Sequence, residues 1–258
     1  MDYWDAVAAL EWQIEAGVDE AILDAPVDRF AEAARAKDEA AAKAEAAKLP
    51  APGIVETPEV DAVAVAEAAA SSAATLDALR AAMGAFELCE IKKGASTLVF
   101  ADGLPGARVM IVGEAPGRDE DREGRPFVGR AGVLLDKMFD AIGLSRTSDA
   151  PADALYITNV LPWRPPQNRD PSPEETAMML PFLARHIELA QPEMLVAMGN
   201  HATFALLGKR GITRLRGGWA EWRGLPVLPM FHPAFLLREP IRKREAWADL
   251  LSLKARLR

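Results

Sequence analysis

Four short apolar runs lie in the C-terminal two thirds of the chain. Each is four to seven residues long, is dominated by Val, Ile, Leu and Met, and ends near a glycine, proline or asparagine. Runs of this length and composition are typical of strands buried on both faces of a parallel sheet. The predicted strands are 109–112, 155–161, 194–198 and 227–231.

Helical patterns follow these runs. Pro173 stands at a favoured first-turn position, and Ser172 before it is a plausible cap. Strands that alternate with helices predict an α/β fold, with a parallel sheet covered on both faces by right-handed crossovers. The predicted helices here are 131–142, 173–189, 201–207 and 240–256.

The N-terminal stretch has a different character. Apolar spacing over 2–17 predicts a short amphipathic helix, and 31–48 is nearly all Ala, Glu, Lys and Arg, which favours helix but offers no broad apolar face. Residues 49–71 have the Pro-, Ala- and Val-rich composition of a linker. We therefore expect an acidic helical or disordered arm over 1–71 and one domain over 72–258.

Charge is divided unevenly along the chain. The net charge of −8 is the balance of −12 over residues 1–77 and +4 over residues 78–258. Acidity of the whole chain argues against a nucleic-acid partner, but the mildly basic C-terminal part removes that argument. Solvated surface is the simpler interpretation of its basic clusters.

The cysteine count and the hydropathy exclude several kinds of site and several classes of protein. With Cys89 as its single cysteine, the chain forms no internal disulfide and no metal site built from several thiolates. No apolar run reaches the ~18–20 residues of a membrane span, and the start lacks the pattern of a signal peptide. We expect a cytoplasmic monomer with no membrane partner.

A glycine-rich acidic loop follows the first predicted strand, within 109–132. It matches neither a P-loop nor GxGxxG, and its acidic residues would repel phosphate. The alternative is a loop whose backbone approaches a base or a sugar. Phe127, between Pro126 and Gly129, is then either a stacking platform or a staple into the core.

Polar residues stand just beyond three predicted strands. Glu114, Asn159 and His232 follow the first, second and fourth strands, and the carboxyl ends of parallel strands share one rim. A carboxylate, an amide and an imidazole together suit a site that recognises a planar polar ligand and stabilises charge. Capping or core roles remain open for each residue taken singly.

A basic turn and an apolar segment complete the set. Arg164 and Arg169 lie in the rigid turn RPPQNRDP, and Leu236 and Leu237 precede Arg238 in HPAFLLREP. Cations that hold phosphates beside an apolar wedge are typical of proteins that enter a base stack.

These motifs resemble the family 4 uracil-DNA glycosylases, the branch that usually carries an iron–sulfur cluster. The resemblance covers roughly 83–255, and residues 1–71 lie outside it. The shared motifs, in order, are GEAPG at 113–117, the acidic pair at 120–121, GRPFVGRAG at 124–132, YITNV at 156–160, RPPQNRDPSPEE at 164–175, LRG at 215–217 and HPAFLLR at 232–238.

The resemblance implies excision of uracil from DNA by a three-layer α/β/α sandwich with a four-stranded parallel sheet. It makes Glu114 and Glu120 the acidic candidates and His232 the group that faces uracil O2. Ala115 would line the uracil site. Phe127 would stack on the base, and Asn159 would pair with its edge. Arg164, Arg169 and Arg238 would bind phosphates, and Leu236 or Leu237 would fill the vacated stack.

The chain departs from the family at the cluster ligands. By alignment of the surrounding motifs, the four cysteine positions hold Phe86, Cys89, Trp163 and Met179. One thiolate does not hold a cluster that four ligate, so we expect no iron–sulfur cofactor, no other metal and apolar packing in its place. No histidine lies in 161–175, where a related branch carries one that traps its product covalently, so we expect turnover.

Two further functions stay open at this point. One is a catalytically silent DNA-binding module on the same fold. The other is a metal-dependent nucleotide hydrolase using the acidic loop, against which the sequence shows no metal-spaced set of carboxylates and histidines. Retention of all the candidate site residues favours the glycosylase.

Overall fold

The computed structural model describes residues 3–15, 37 and 61–257. Contacts divide the chain into two units, Met1–Glu59 and Val60–Arg258. In the first unit, helix α1 (Tyr3–Glu15) confirms the helix predicted over 2–17. The Ala-rich helix predicted over 31–48, apart from residue 37, and the linker over 49–60 lie outside the described residues.

A six-stranded sheet forms the centre of the second unit. Its strands lie in the order β1-β3-β2-β4-β6-β5. The four central strands are parallel, and Gly113 at the end of β2 pairs in register with Asn159 at the end of β3. The strands are β1 (Asp102–Gly103), β2 (Val109–Gly113), β3 (Leu155–Asn159), β4 (Met194–Met198), β5 (Ala220–Trp222) and β6 (Leu225–Met230).

The prediction of four parallel strands therefore holds for the centre but is incomplete at the edges. Two short antiparallel strands, β1 and β5, extend the sheet on either side. Arg223 and Gly224, which join β5 to β6, both have positive φ, at 48° and 84°. A two-residue turn of this kind matches the strand twist and closes a hairpin, but Arg-Gly lacks the usual Asn-Gly signal.

Helices cover both faces of the sheet. Met110, Val112 and Tyr156 on one face belong to a core cluster separate from that of Ile111 and Ile157 on the other. The three-layer α/β/α sandwich is thus confirmed. The helices are α2 (Ala62–Ser72), α3 (Leu76–Ala85), α4 (Arg118–Glu123), α5 (Arg130–Asp140), α6 (Pro173–Ala190), α7 (Gly199–Leu207), α8 (Ile212–Leu215), α9 (Pro233–Arg238) and α10 (Lys243–Arg256), with 3-10 turns at Glu90–Gly94, Pro166–Asn168 and Pro240–Arg242.

Helix α2 occupies part of the stretch assigned above to the linker. Asp61 caps it by accepting hydrogen bonds from the N–H groups of Val63 and Ala64, each at 3.0 Å. Ala66 and Ala70 are buried, and α2 packs along α6. The small side chains that suggested a linker let two helices approach closely, so residues 61–71 are part of the folded unit.

No helix among the described residues is long and apolar enough to cross a membrane.

Candidate active site

A cavity of about 700 Å³ opens at the carboxyl ends of the four central strands. Polar residues at or just beyond the ends of these strands line it, among them Asn159 at the end of β3, Glu114 after β2, His201 after β4 and His232 after β6. The structure therefore brings together the three rim residues predicted from the sequence and adds a fourth. The other predicted residues that line the cavity are Ala115, Glu120, Phe127, Arg169 and Arg238.

Phe127 and Asn159 meet above Gly113. A Cβ at Gly113 would lie 2.2 Å from Asn159 Oδ1 and 2.6 Å from Phe127 Cε2, closer than any real contact. Only glycine leaves room for both side chains at the end of β2. Both residues are buried, since Phe127 is 6% exposed and Asn159 is 7% exposed. The aromatic face and the amide edge therefore form one preorganised wall.

Phe127 is held in a strained backbone conformation. Its φ is 54°, a region that costs bulky residues about 1–2 kcal/mol. Arg146, itself buried, donates to the carbonyls of Pro126 at 2.8 Å and Phe127 at 3.0 Å, and pairs with Asp102 and Asp136. Sequence reasoning missed Arg146, because a solvated arginine and a buried clamp look the same in one dimension.

Glu120 lines the cavity, but both oxygens of its carboxylate accept hydrogen bonds from backbone N–H groups. Its Oε2 accepts from the N–H of Gly117 at 3.1 Å, and its Oε1 accepts from the N–H groups of Val128 at 3.0 Å and Gly129 at 2.9 Å. Both oxygens of Glu120 therefore tie the two ends of the glycine-rich loop together, which places Phe127 between them.

Glu114 is the carboxylate that faces a polar partner across the cavity. Its Oε2 lies 2.6 Å from Nδ1 of His201, whose Nε2 lies 3.6 Å from Asp170 Oδ2. The hydrogen bond that His201 donates to Glu114 raises the pKa of His201. Glu114, Asp170 and His201 each offer one possible metal-ligand atom, and these atoms lie within 4.8 Å of one another. The spacing of the three residues in the sequence did not reveal this set, which is able to hold a metal ion. The direct hydrogen bond accounts for the close approach of Glu114 and His201.

His232 has one defined tautomer. It is the N-cap of α9, and its Nδ1 accepts a hydrogen bond from the N–H of Ala234 at 3.1 Å, so the proton resides on Nε2. Burial lowers the pKa of His232 to about 4, which keeps the ring neutral at pH 7. The ring stacks on Phe127, with centroids 5.4 Å apart. Its Nε2–H is a neutral hydrogen-bond donor.

Two predicted phosphate-binding arginines are held by side chains of their own chain. Arg169 forms a two-pronged pair with Glu175 at 2.8 and 2.5 Å, and Glu175 in turn accepts from the N–H of Ser172, the cap of α6. Nε of Arg164 donates to Asn168 Oδ1 at 2.8 Å. These contacts hold the proline-rich turn in shape, and contact of either arginine with DNA stays a prediction.

Leu236 and Leu237 lie on different faces of α9. Leu236 is fully buried in a cluster with Phe231 and Ala246, whereas Leu237 is exposed. Neighbours on a helix point in different directions, so only one of the pair can reach a ligand. Burial corrects the prediction for Leu236, and the role of Leu237, beside the exposed Arg238, as an apolar wedge stays a prediction.

The residues at the expected cluster positions do not fit an iron–sulfur cluster. Phe86, Cys89, Trp163 and Met179 are all buried in one core cluster, and the rings of Phe86 and Phe182 meet edge to face at 5.4 Å. Three of the four positions lack a ligand atom of the kind a cluster uses. Burial raises the pKa of the remaining thiol, Cys89, which favours its neutral form.

Comparison with known proteins agrees with this geometry. The model of the uracil DNA glycosylase superfamily matches residues 100–251. The type-4 uracil-DNA glycosylase of Sulfurisphaera tokodaii is 40% identical over 59% of this chain and 71% of its own length. The type-4 enzyme of Thermotoga maritima is 42% identical over 58% of this chain and 77% of its own length. The type-5 uracil-DNA glycosylase of Pyrobaculum aerophilum is 33% identical over 50% of this chain and 62% of its own length.

Proposed function

The chain belongs to the uracil DNA glycosylase superfamily, and on that premise we propose that it is a monofunctional uracil-DNA glycosylase of base excision repair. It hydrolyses the N-glycosidic bond of deoxyuridine and leaves an abasic site. The observation that carries this proposal is that Glu114, Phe127, Asn159 and His232 all line one cavity.

Access to the substrate requires base flipping. A uracil inside a duplex is unreachable, so it is rotated out at a cost of about a few kcal/mol. The exposed Leu237 fills the gap left in the stack, and Arg238 at the cavity mouth holds a backbone phosphate. The face of Phe127 then receives the extruded base by stacking.

Asn159 selects the base. Its amide offers one donor group and one acceptor, which match the 4-oxo group and the N3–H of uracil and mismatch cytosine. An added Cβ at Gly113 would lie 2.2 Å from Asn159 Oδ1, so glycine at the end of β2 leaves the amide the room it needs at the cavity wall.

His232 and Glu114 stabilise the two charges that develop as the bond breaks. Negative charge accumulates on uracil, and the Nε2–H of His232 donates to O2; the Nδ1 contact with Ala234 enforces that tautomer. Positive character develops on the sugar, and the Glu114 carboxylate stabilises it and orients the attacking water. Glu120, occupied by backbone N–H groups, supports the loop.

We propose further that the enzyme contains no iron–sulfur cluster. What supports this is the apolar packing of Phe86, Trp163 and Met179 around Cys89. Iron close to four atoms per chain, with visible absorbance in the protein as purified, would contradict it. We also propose that the protein acts in the cytoplasm. We propose that it acts as a monomer, because one chain supplies every residue placed in the cavity.

An excision assay on uracil-containing oligonucleotides, run with and without EDTA, tests the function. We expect EDTA-resistant release of uracil, and the same assay with hypoxanthine and xanthine defines the range of bases. Asn159→Ala and His232→Ala should each lose most activity while remaining folded. Binding without excision would support the silent module, EDTA-sensitive cleavage the metal-dependent hydrolase, and wild-type rates in both variants would refute the assigned site.

A further inference from the structure

His201 lines the cavity, and the chemistry proposed above gives it no role. It lies in the first turn of α7, directly after β4, the strand that neighbours both β2 and β6. Gly199, with φ of 90°, begins the helix against His232; a Cβ there would lie 3.2 Å from His232 Cβ. The turn therefore places His201 in the cavity, within hydrogen-bond distance of Glu114.

The contacts of His201 point at one target. Its Nδ1 lies 2.6 Å from Oε2 of Glu114, a short charge-assisted distance, whereas its Nε2 lies 3.6 Å from the exposed Asp170. The backbone of Glu114 is already fixed, because its carbonyl accepts from the N–H of Leu161 at 3.0 Å. The side-chain torsions of Glu114 are the freedom that remains, and His201 restricts them.

We propose that His201 is a positioning residue for uracil excision, holding Oε2 of Glu114 so that Oε1 faces the attacking water. This inference rests on the proposed function and deepens it. A carboxylate that is free to rotate spends only part of its time in the productive orientation, and an error of about 1 Å at a reacting group can cost ~10²-fold in rate.

Electrostatics favour the same arrangement. Glu114 and Asp170 flank the imidazole and favour its cationic form, while Arg210 opposes them. Both the cation and the neutral Nδ1–H tautomer donate to Oε2, so the hydrogen bond survives deprotonation of the ring.

Substitution of His201 by Asn or Gln distinguishes the role of ring nitrogen Nδ1 from that of Nε2. The side-chain nitrogen of Asn is as many bonds from Cα as Nδ1 of His, and that of Gln corresponds to Nε2. We therefore expect His201→Ala to lower the single-turnover excision rate about 10- to 100-fold. His201→Asn should recover much of this loss and His201→Gln little. Affinity for uracil-containing DNA should stay within about twofold of wild type.

A double-mutant cycle with Glu114 tests whether His201 acts through that carboxylate. In a Glu114→Ala background, His201→Ala should cost less than about twofold, because the group that it positions is gone. Circular dichroism and thermal unfolding establish that each variant is folded. A His201→Ala enzyme with the wild-type rate overturns the inference, and so does an equal loss in both backgrounds.

The remaining outcomes are equally decisive. Weaker binding of His201→Ala with an unchanged single-turnover rate, and a smaller salt dependence, would make His201 a phosphate ligand and overturn the inference. Equal recovery by Asn and Gln would also overturn it. A wild-type protein inactive on uracil in DNA refutes the proposed function itself, whereas an active wild type with an unaffected His201→Ala variant refutes only the positioning role.

Discussion

Replacing Gly132 by alanine should disable the enzyme from inside a helix. Gly132 lies in the first turn of α5, where the backbone of Phe127 passes over it. A Cβ at this position would stand 1.7 Å from the carbonyl oxygen of Phe127 and 2.1 Å from its carbonyl carbon. Alanine normally favours a helix over glycine, so propensity alone predicts the opposite, stabilising result.

The clash sets the size of the effect. Real Cβ atoms stay at least 3.0 Å from other heavy atoms, so the carbonyl of Phe127 has to retreat by about 3.0 − 1.7 = 1.3 Å. That shift pulls the oxygen away from Arg146, which donates to it at 3.0 Å, and displaces the ring on which uracil stacks. We expect a loss of about 1–3 kcal/mol in stability and of ~10²-fold in excision rate.

Denaturant unfolding and single-turnover excision measure the two effects. Gly84→Ala is the matched control, because Gly84 also lies in a helix and its added Cβ would come no closer than 3.8 Å, to Leu98 Cδ2. It should gain about 0.4–1 kcal/mol in stability and keep its activity. Arg146→Lys loses the planar fork and should show a weaker form of the Gly132 effect. A folded Gly132→Ala enzyme at the wild-type rate would refute this account of how Phe127 is placed.

Three more outcomes follow from buried and surface charge. Burial lowers the pKa of His232 to about 4 and the pKa of His186 to about 3, below the ordinary 6.5, so on acidification the unfolded chain takes up protons before the folded one. The free energy of unfolding, measured by urea titration, should therefore fall from pH 6.5 towards pH 4. A flat profile would contradict this. Arg238→Ala should weaken DNA binding and reduce the log–log salt slope by about 1, which titration at several salt concentrations checks; an unchanged slope would exclude a phosphate contact. Ala66→Asp on the buried face of α2 should cost about 1–3 kcal/mol, and Ala68→Asp on its exposed face little; equal thermal shifts would show that α2 does not belong to the folded unit.

The sequence predicted the layers and the rim because both depend on local periodicity. Apolar runs that end near a glycine, proline or asparagine located the four central strands, and parallel pairing then placed Glu114, Asn159 and His232 at one edge. The edge strands β1 and β5 were missed because two or three residues carry no periodic signal.

The remaining features depend on packing that one dimension does not contain. His201 followed a predicted strand as the other rim residues do, and that position was its only signal. Arg146 and Arg169 carry the same side chain, yet one is a buried clamp and the other a partner of Glu175. Whether Leu236 or Leu237 was exposed depended on the rotation of α9 about its axis, which a six-residue helix does not reveal.

The short edge strands bear on how the protein behaves at high concentration. A long open edge is a template onto which a second copy can add, and aggregation begins with such pairing. Here the two edge strands are short, because β1 has two residues and β5 has three. The described sheet thus offers little for another chain to join, and the enzyme should remain dispersed where it is abundant.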